Sequence, residues 1–192
     1  MKIGIFSGSF DPVHTGHAMV ASYAAQFAGL DEVWLMPSPL NPLKAGAPPA
    51  PESIRLEMCR LVADGCSGVK VSDFEFALPR PSYTYRTLTC LREAFPGHEF
   101  FLIIGSDNWL TFDRWRNHRE ITEEFRIIIY PRPGYPVATP LPDSITLLAE
   151  APQALISSTF VREGLAEGKN MNYFVPLRVV EYIKSHKLYD TK

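Results

Sequence analysis

Short apolar runs alternate with segments of helical periodicity along most of the 192-residue chain. Runs rich in β-branched and aromatic residues predict strands at residues 2–6, 32–36, 69–72, 100–104 and 126–130. Between them, apolar residues at helical spacing predict helices at residues 16–27, 52–63 and 83–95. Such alternation is typical of a mainly parallel sheet with helices on both faces. We therefore expect an α/β, doubly wound, Rossmann-like fold.

Two proline-rich segments interrupt this pattern. Residues 37–51 contain six prolines and residues 131–142 contain five, with little periodicity, so both are predicted to be loops. Each follows a predicted strand, and ligands of open α/β sheets bind beyond the carboxyl ends of the strands. We expect both loops to form walls of a binding site. A chain of this length without an internal linker predicts one domain over residues 1–192.

Charge and cysteine content narrow the partners and the compartment. Nineteen basic and 21 acidic residues give a net charge of −2, which supplies no overall field for DNA or RNA. No apolar run approaches the length of a membrane span, and the first residues lack a signal-peptide pattern. Cys59, Cys66 and Cys90 are odd in number and lack metal-ligand spacing, which favours a reducing compartment. We expect a cytoplasmic protein without nucleic-acid or membrane partners.

The passage from the first predicted strand into the first predicted helix carries the most specific chemistry. It presents unpaired backbone N–H groups and the positive end of a helix dipole, which suits phosphate. His14 and His17 lie three residues apart, so they share one face of the first helical turn. Two imidazoles there can stabilise charge that develops in phosphoryl or nucleotidyl transfer. The predicted phosphate cradle also includes Gly8, Ser9, Phe10 and Gly16.

Two structural alternatives stand beside this functional interpretation. Histidines at i and i+3 can bind a metal, but zinc needs three or four ligands, and the cysteines and other histidines supply no nearby third. The segment could instead be a purely structural turn. Two histidines, two glycines and a proline at a helix start are costly in helix propensity, which favours function. We predict no metal bound by a dedicated set of protein ligands.

A second polar cluster begins near residue 157. Ser157, Ser158 and Thr159 stand at the predicted start of another helix, where their hydroxyls can cap free N–H groups or meet phosphate oxygens. Arg162 follows one turn later, and a guanidinium can hold two phosphate oxygens at once. A helix cap alone explains the hydroxyl residues, so it is the pairing with the first segment that favours a second phosphate clamp.

Two motifs near opposite ends of the chain resemble those of a known superfamily. GSFDPVHTGH at residues 8–17 matches the nucleotidyltransferase signature Gly-x-Phe-x-Pro-x-His-x-Gly-His, and ISSTFVR at residues 156–162 is similar to the second motif, Ile-Ser-x-Thr-x-x-Arg. Three further pieces, PSYT at 81–84, GSDNWLTFDRW at 105–115 and RPGY at 132–135, resemble those of bacterial nicotinate mononucleotide adenylyltransferases. The likeness runs from residue 1 to the segment VVEYIKSHKLY at 179–189.

The resemblance implies transfer of the adenylyl group of ATP to nicotinate mononucleotide, giving deamido-NAD and pyrophosphate, as a step of NAD biosynthesis. The acceptor phosphate is already negative near neutral pH, so it can attack the α-phosphorus in line without a side-chain nucleophile. Mg²⁺ would bridge the phosphate oxygens without dedicated protein ligands. The expected partners are these small molecules, and a homo-oligomer is left open.

The family motifs also imply roles for individual residues. The implied catalytic residues are His14, His17 and Arg162, with His17 nearest the α-phosphate. The implied ATP-binding residues are Gly8, Ser9, Phe10, Gly16, Lys44, Gly105, Asp107, Ser157, Ser158 and Thr159. The implied acceptor-binding residues are Tyr83, Thr84, Trp115 and Arg132.

The implied acceptor site favours nicotinate over nicotinamide. An exposed indole at Trp115 offers a flat face for a positively charged pyridine ring. Backbone N–H groups of the loop holding Tyr83 and Thr84 would receive the nicotinate carboxylate, and such donors discriminate against the neutral amide. Arg132 would lie toward the acceptor's phosphate. Core packing of Trp115 remains an alternative, and Asp107 could serve a ribose hydroxyl, the metal's waters or only a helix cap.

Two positions depart from the family pattern. Ser7 stands where many relatives have glycine, and Leu43 replaces a histidine of the proline-rich loop, which leaves Lys44 to reach phosphate.

Alternative functions are disfavoured by particular residues. Sibling families that use pantetheine phosphate, flavin mononucleotide or glycerol phosphate share the first motif, but PSYT, Trp115 and RPGY distinguish this chain. A nucleotide sensor without catalysis is disfavoured by the intact histidines and Arg162. An oxidoreductase would need Gly-x-Gly-x-x-Gly after the first strand, and the sequence lacks it.

Overall fold

The computed structural model describes residues 1–39 and 49–189. Its strands are β1 (Lys2–Gly8), β2 (Glu32–Pro37), β3 (Val69–Val71), β4 (Glu99–Gly105), β5 (Arg126–Tyr130) and β6 (Ile145–Leu147). Its α-helices are α1 (Thr15–Phe27), α2 (Glu52–Ala63), α3 (Thr84–Ala94), α4 (Ser106–Trp109), α5 (His118–Glu124), α6 (Ser158–Ala166) and α7 (Leu177–Ser185). Short 3-10 helices lie at Phe74–Ala77 and Phe112–Arg114.

The six strands form one parallel sheet in the order β3-β2-β1-β4-β5-β6. The chain moves outward from β1 to β3, returns to the centre at β4, and then moves outward on the other side. This order confirms the predicted doubly wound, Rossmann-like α/β fold.

The point where the strand order reverses lies between β1 and β4. Their register runs from Lys2 beside Glu99 to Ile5 beside Leu102, and both strands extend further, to Gly8 and Gly105. A crevice therefore opens at the carboxyl end of the sheet, at the position where doubly wound sheets bind their ligands.

Alternate strand residues point into two separate cores, one on each face of the sheet. In β4, Phe101 and Ile103 pack with α1, α2, α6 and α7, whereas Phe100, Leu102 and Ile104 pack with α3 and α5. Both faces are covered, so the strands are apolar at consecutive positions rather than at every second one. This explains why continuous apolar runs predicted the strands correctly.

The predicted bounds agree with the structure to within one or two residues. Those of α2 and β5 match, and those of β1, β2 and β4 fall short where the strands run on into glycine or proline. Glycine and proline are read as breakers in a sequence, although at a strand end they can remain paired.

Six short elements lie outside the predicted ones: the strand β6, the α-helices α4, α5 and α7, and the two 3-10 helices. The longest of them, α7, has nine residues and buries Val179, Val180 and Ile183 on one face, a helical spacing that the prediction did not include. In the part of the chain that the structure describes, no helix is both long and apolar enough to cross a membrane.

Candidate active site at the carboxyl end of the sheet

The N-terminus of α1 holds two stacked imidazole rings. The centroids of the His14 and His17 rings lie 3.7 Å apart, with 24° between the ring planes. The backbone N–H of His14 donates a hydrogen bond to Nδ1 of His17 at 3.2 Å. Because Nδ1 accepts, the ring proton of neutral His17 lies on Nε2. Half-buried His17 can therefore offer an N–H donor to a ligand.

Small and aromatic residues of the motif fix these rings in place. Phe10 is fully buried and packs edge-on against His17, with centroids 4.9 Å apart and an interplanar angle of 89°. A Cβ at Gly16 would lie 3.1 Å from Cε1 and Nδ1 of His14, and one at Gly8 would lie 3.1 Å from Cε1 of Phe10. These two glycines leave space for the aromatic rings. The Phe10 side chain supports His17, and only its backbone remains for ATP.

Phe10 also has an unusual backbone conformation. Its φ of 47° lies in the left-handed region that residues with a side chain seldom adopt. The Ser9 carbonyl, one peptide earlier, accepts a hydrogen bond of 2.7 Å from Arg55. The fixed peptide and the buried ring together hold this turn, and such local strain is commonly found at functional sites.

His14 is held in its neutral form. Its side chain is buried, and burial together with the positive charge of Arg132 lowers the pKa of His14 to about 4. Its Nδ1 has no hydrogen-bond partner among the described residues. A buried polar atom without a partner at a crevice is a position where a ligand can complete the hydrogen bonding.

The depressed pKa of His14 predicts a loss of stability in acid. His14 has a pKa of about 4 when folded and an ordinary value of 6.5, so the unfolded chain binds more protons between these values. The stability contributed by neutral His14 is complete above pH 6.5 and is lost as the pH falls through 4, by about 3 kcal/mol. Urea unfolding at pH 7 and pH 4 should show a correspondingly smaller acid loss in His14→Gln.

The control for this prediction is His186→Gln, which removes an exposed imidazole of the C-terminal region. If His14→Gln and His186→Gln lost the same stability between pH 7 and pH 4 as the unmodified protein, His14 would not be the group that titrates.

The start of α6 lies against the loop that precedes α1. Ser158 donates its hydroxyl to the Pro12 carbonyl at 3.0 Å, and Nη1 of Arg162 donates to the Asp11 carbonyl at 2.6 Å. Nη2 of Arg162 also contacts the Thr159 hydroxyl at 3.3 Å. Ser157 caps the helix by accepting a hydrogen bond from the backbone N–H of Phe160 at 3.1 Å. The two predicted phosphate segments therefore meet, although Pro12 and Ser158 are 146 positions apart in the sequence.

A third group of predicted residues follows β4 and β5. Nη1 of Arg132 lies 3.3 Å from Oδ2 of Asp107, and the backbone N–H of Arg132 donates to the buried Ser106 hydroxyl at 2.9 Å. A Cβ at Gly105 would overlap Oδ1 of Asp107 and lie 2.9 Å from Cδ of Arg132. Only a residue without a side chain at position 105 leaves room for the ion pair between Asp107 and Arg132 beside the end of β4.

Asp107 is the carboxylate of this group that suits a hydrated metal ion. Its Oδ1 is buried and has no hydrogen-bond partner within the described residues. In those residues, no three His, Cys, Asp or Glu side chains cluster to hold a metal ion. Mg²⁺ usually keeps several waters and binds through phosphates and one or two carboxylates, so a single carboxylate oxygen without a hydrogen-bond partner at the carboxyl end of the sheet fits it.

Of the residues predicted for the acceptor, Tyr83 and Thr84 lie at the start of α3 and Trp115 lies next to Arg116, which contacts Tyr83, whereas Arg132 belongs to the group beside Asp107. Thr84 is its first residue, and the N-cap residue Tyr83 makes no side-chain cap hydrogen bond within the described chain. The guanidinium of Arg116 lies 4.8 Å from the centroid of the Tyr83 ring. Trp115 is half-buried against Phe112, with ring centroids 5.3 Å apart. The indole is thus partly packed and partly exposed.

The structure also reveals buried polar residues that the sequence motifs do not indicate. Arg55 is fully buried and donates to the carbonyls of Ser9, Ser38 and Ala50 at 2.7 to 2.8 Å. It joins the loop after β1 to the segments on either side of residues 40–48. Lys44, which was predicted to reach phosphate, and Leu43, which replaces a histidine of the family's loop, lie outside the described residues. In the sequence, the role of Arg55 was indicated only by its position among the apolar residues of α2.

A second unexpected group is the buried carboxyl of Glu75, behind the start of α3. Thr87 donates its hydroxyl to Oε1 at 2.9 Å, and Ser7 donates to Oε2 at 3.3 Å. Burial raises the pKa of Glu75, and these hydroxyls partly oppose the rise. Ser7, which departs from the family's glycine, therefore has a partner in this protein.

The fold and the crevice together define a class of enzyme. The helices α1, α3 and α6 carry no acidic residue in their first turns, so their positive ends remain open to anions. Beside them lie the imidazoles of His14 and His17 and the guanidinium of Arg162. Donors of this kind, on a doubly wound sheet, form the site of a nucleotidyltransferase.

Comparison with known proteins gives the family. A family model described as cytidylyltransferase-like matches residues 5–164. The chain is 50% identical to a probable nicotinate-nucleotide adenylyltransferase of Bacteroides thetaiotaomicron, over 97% of this chain and 92% of that protein. It is 51% identical to the one of Bacteroides fragilis, over 91% and 87%. The chain belongs to the cytidylyltransferase-like family and, within it, to the nicotinate-nucleotide adenylyltransferases, as the motifs predicted.

A solved structure has the same fold. The nicotinic acid mononucleotide adenylyltransferase of Plasmodium falciparum, complexed with APC, matches with a TM-score of 0.79 at 20% identity. The match covers 100% of this chain and 98% of that one.

Proposed function

We propose that this site transfers the adenylyl group of ATP to nicotinate mononucleotide by direct in-line attack, giving deamido-NAD and pyrophosphate for NAD biosynthesis. The observation that carries the proposal is the contact between the loop that leads into α1, which begins next to His14, and the start of α6, which holds Arg162. A triphosphate between them would find donors at both ends.

The reaction needs no side-chain nucleophile. One bond forms between an oxygen of the acceptor phosphate and the α-phosphorus, and the bond from the α-phosphorus to the oxygen bridging the β-phosphorus breaks. Pyrophosphate leaves with the electron pair. Because the acceptor phosphate is already ionised near neutral pH, the protein's contribution is alignment and charge stabilisation.

In this proposal, the two histidines and Arg162 stabilise the negative charge of different phosphates of ATP. The Nε2–H of His17 would donate to an α-phosphate oxygen, where negative charge grows in the transition state, and neutral His14 would add a second donor. Arg162 uses two of its five N–H groups on Asp11 and Thr159. The others would hold the β- and γ-phosphates of the leaving pyrophosphate, together with Ser158 and Thr159.

The backbone of the cradle and a metal ion complete the ATP site in this proposal. The N–H groups near Gly8, Ser9, Phe10, Gly16 and Ser157 would face phosphate oxygens, with Gly105 nearby. Lys44, which lies outside the described residues, would add a positive charge for the phosphates. Mg²⁺, bound through the phosphates with Asp107 on its waters, would neutralise part of the triphosphate charge.

The acceptor would bind where α3 begins. The uncapped N–H groups of Tyr83 and Thr84 suit the nicotinate carboxylate, because a helix N-terminus attracts anions. The exposed part of the Trp115 ring would stack on the charged pyridine ring, and Arg132 would lie toward the acceptor's phosphate. We further propose one domain over residues 1–192 and a cytoplasmic location, which the three free cysteines favour.

The acceptor preference tests this assignment. We expect kcat/KM for nicotinate mononucleotide to exceed that for nicotinamide mononucleotide about 10- to 50-fold, because a carboxylate accepts charge-assisted hydrogen bonds and an amide does not. Pyrophosphate release with ATP and Mg²⁺ measures both rates.

Flavin mononucleotide and pantetheine phosphate are the control acceptors in the same assay, since sibling families use them. Equal rates with the two pyridine mononucleotides would contradict the carboxylate site. Faster turnover of either control acceptor would overturn the proposed function.

A further inference from the structure

The carboxyl group of Asp11 connects three distant parts of the chain. Its Oδ1 accepts hydrogen bonds from the Tyr189 hydroxyl at 2.6 Å and from the backbone N–H of Ala50 at 3.2 Å. Its Oδ2 lies 3.9 Å from Nη1 of Arg162, which already donates to the Asp11 backbone carbonyl at 2.6 Å. Asp11 is buried, with 9% of its surface exposed. A negative charge is therefore held directly beside the guanidinium proposed to bind phosphate.

Tyr189 reaches Asp11 from the segment that follows α7. Leu188 and Tyr189 pack against the larger core, and the Leu188 backbone N–H donates to the Ile183 carbonyl at 3.0 Å. Burial and the hydrogen bond to Asp11 raise the pKa of Tyr189, so its hydroxyl stays protonated and remains a donor. The contact spans 178 positions of the sequence.

We propose that Tyr189 and Asp11 are positioning residues for Arg162: the Tyr189 hydroxyl holds the Asp11 carboxylate through Oδ1, so that Arg162 is oriented by the Asp11 carbonyl and keeps its charge for the triphosphate. The inference rests on the proposed function, because it assigns Arg162 to the phosphates of ATP. It adds two residues, from opposite ends of the chain, that act through Arg162 and need not touch the nucleotide.

The physical reason is competition for one guanidinium. Without the Tyr189 hydroxyl, Oδ1 of Asp11 loses a charge-assisted hydrogen bond. The carboxylate then moves toward Nη1 of Arg162, which lies 3.9 Å from its Oδ2, and forms a closer ion pair. The guanidinium would then be paired before ATP arrives. Because this pairing opposes ATP binding and transition-state binding alike, the loss falls on KM rather than kcat.

Tyr189→Phe removes the hydroxyl and keeps the packed ring. We expect it to raise the Kd for MgATP and the KM for ATP about tenfold, with kcat and the KM for the acceptor within about twofold of the unmodified enzyme. Calorimetry with MgATP alone measures the Kd. Tyr182→Phe, in α7, is the matched control and should leave all of these values unchanged.

The double variant separates this role from a loss of structure. In Asp11→Asn the amide carries no charge to draw Arg162 away, so adding Tyr189→Phe should change the Kd for MgATP by less than about twofold. An unchanged Kd in Tyr189→Phe, or an equal rise in both backgrounds, would overturn the positioning role. MgATP affinity does not depend on the acceptor, so failure to use nicotinate mononucleotide would remove the proposed function and leave this test standing.

Discussion

His17→Ala is expected to lower kcat about 100- to 1000-fold while the protein stays folded. The Nδ1 of His17 accepts the His14 backbone N–H, so the ring proton of neutral His17 lies on Nε2, the atom that we propose donates to the α-phosphate. The neighbouring His14 stacks on the same ring but is buried, so it cannot take over the position of the lost donor. Steady-state pyrophosphate release measures the loss.

The fold should survive this substitution because His17 is only half-buried. Its loss removes one hydrogen bond at the start of α1, which costs about 1 kcal/mol. A circular dichroism melt checks that cost, and His186→Ala, an exposed histidine of the C-terminal region, is the control. Near-normal turnover of folded His17→Ala would contradict the role of the imidazole.

Arg162→Met is expected to lower kcat/KM for ATP about 100-fold, because a charged hydrogen-bond donor to the leaving pyrophosphate is lost. Arg162→Lys should recover only part of this loss. An ammonium keeps the charge, but it lacks the planar fork with which Arg162 contacts Asp11 and Thr159 and keeps further N–H groups for the proposed phosphate contact.

The matched control for Arg162 is Arg178→Met, which removes an exposed arginine from α7. Arg178 pairs with Asp64 at the surface, at 3.3 Å, and exposed pairs contribute little. Its kcat/KM should be unchanged. If Arg178→Met and Arg162→Met behaved alike, or if Arg162→Lys were fully active, the bidentate role of Arg162 would be wrong.

The sequence predicted the fold well where local pattern and burial agree. Continuous apolar runs such as β4 and β5 identified strands covered on both faces, and α2 was recovered with its bounds. The edge strand β6 has three residues and pairs with the sheet on one side only, so its sequence shows no strand pattern. Short elements depend on tertiary contacts for their stability, so their sequences carry a weak local signal.

The candidate site was predicted in part. The motif residues lie where strand ends and helix starts meet at the crevice, because the carboxyl ends of parallel strands share one edge of the sheet. The supporting residues Arg55, Glu75 and Tyr189 were missed. Each is a polar group satisfied by distant partners, and spacing along a chain reveals only neighbours within one or two helical turns.

By itself, the sequence determined the alternation of strands and helices, the two phosphate motifs and the family to which they belong. Only the tertiary structure decided that Nδ1 of His17 accepts, that His14 is neutral, and that Arg162 and Tyr189 share Asp11. The physical reason is the separation along the chain of the residues that interact. Periodicity and motifs are properties of neighbouring residues, whereas burial, pKa and hydrogen-bond partners depend on groups that only folding brings within a few ångströms.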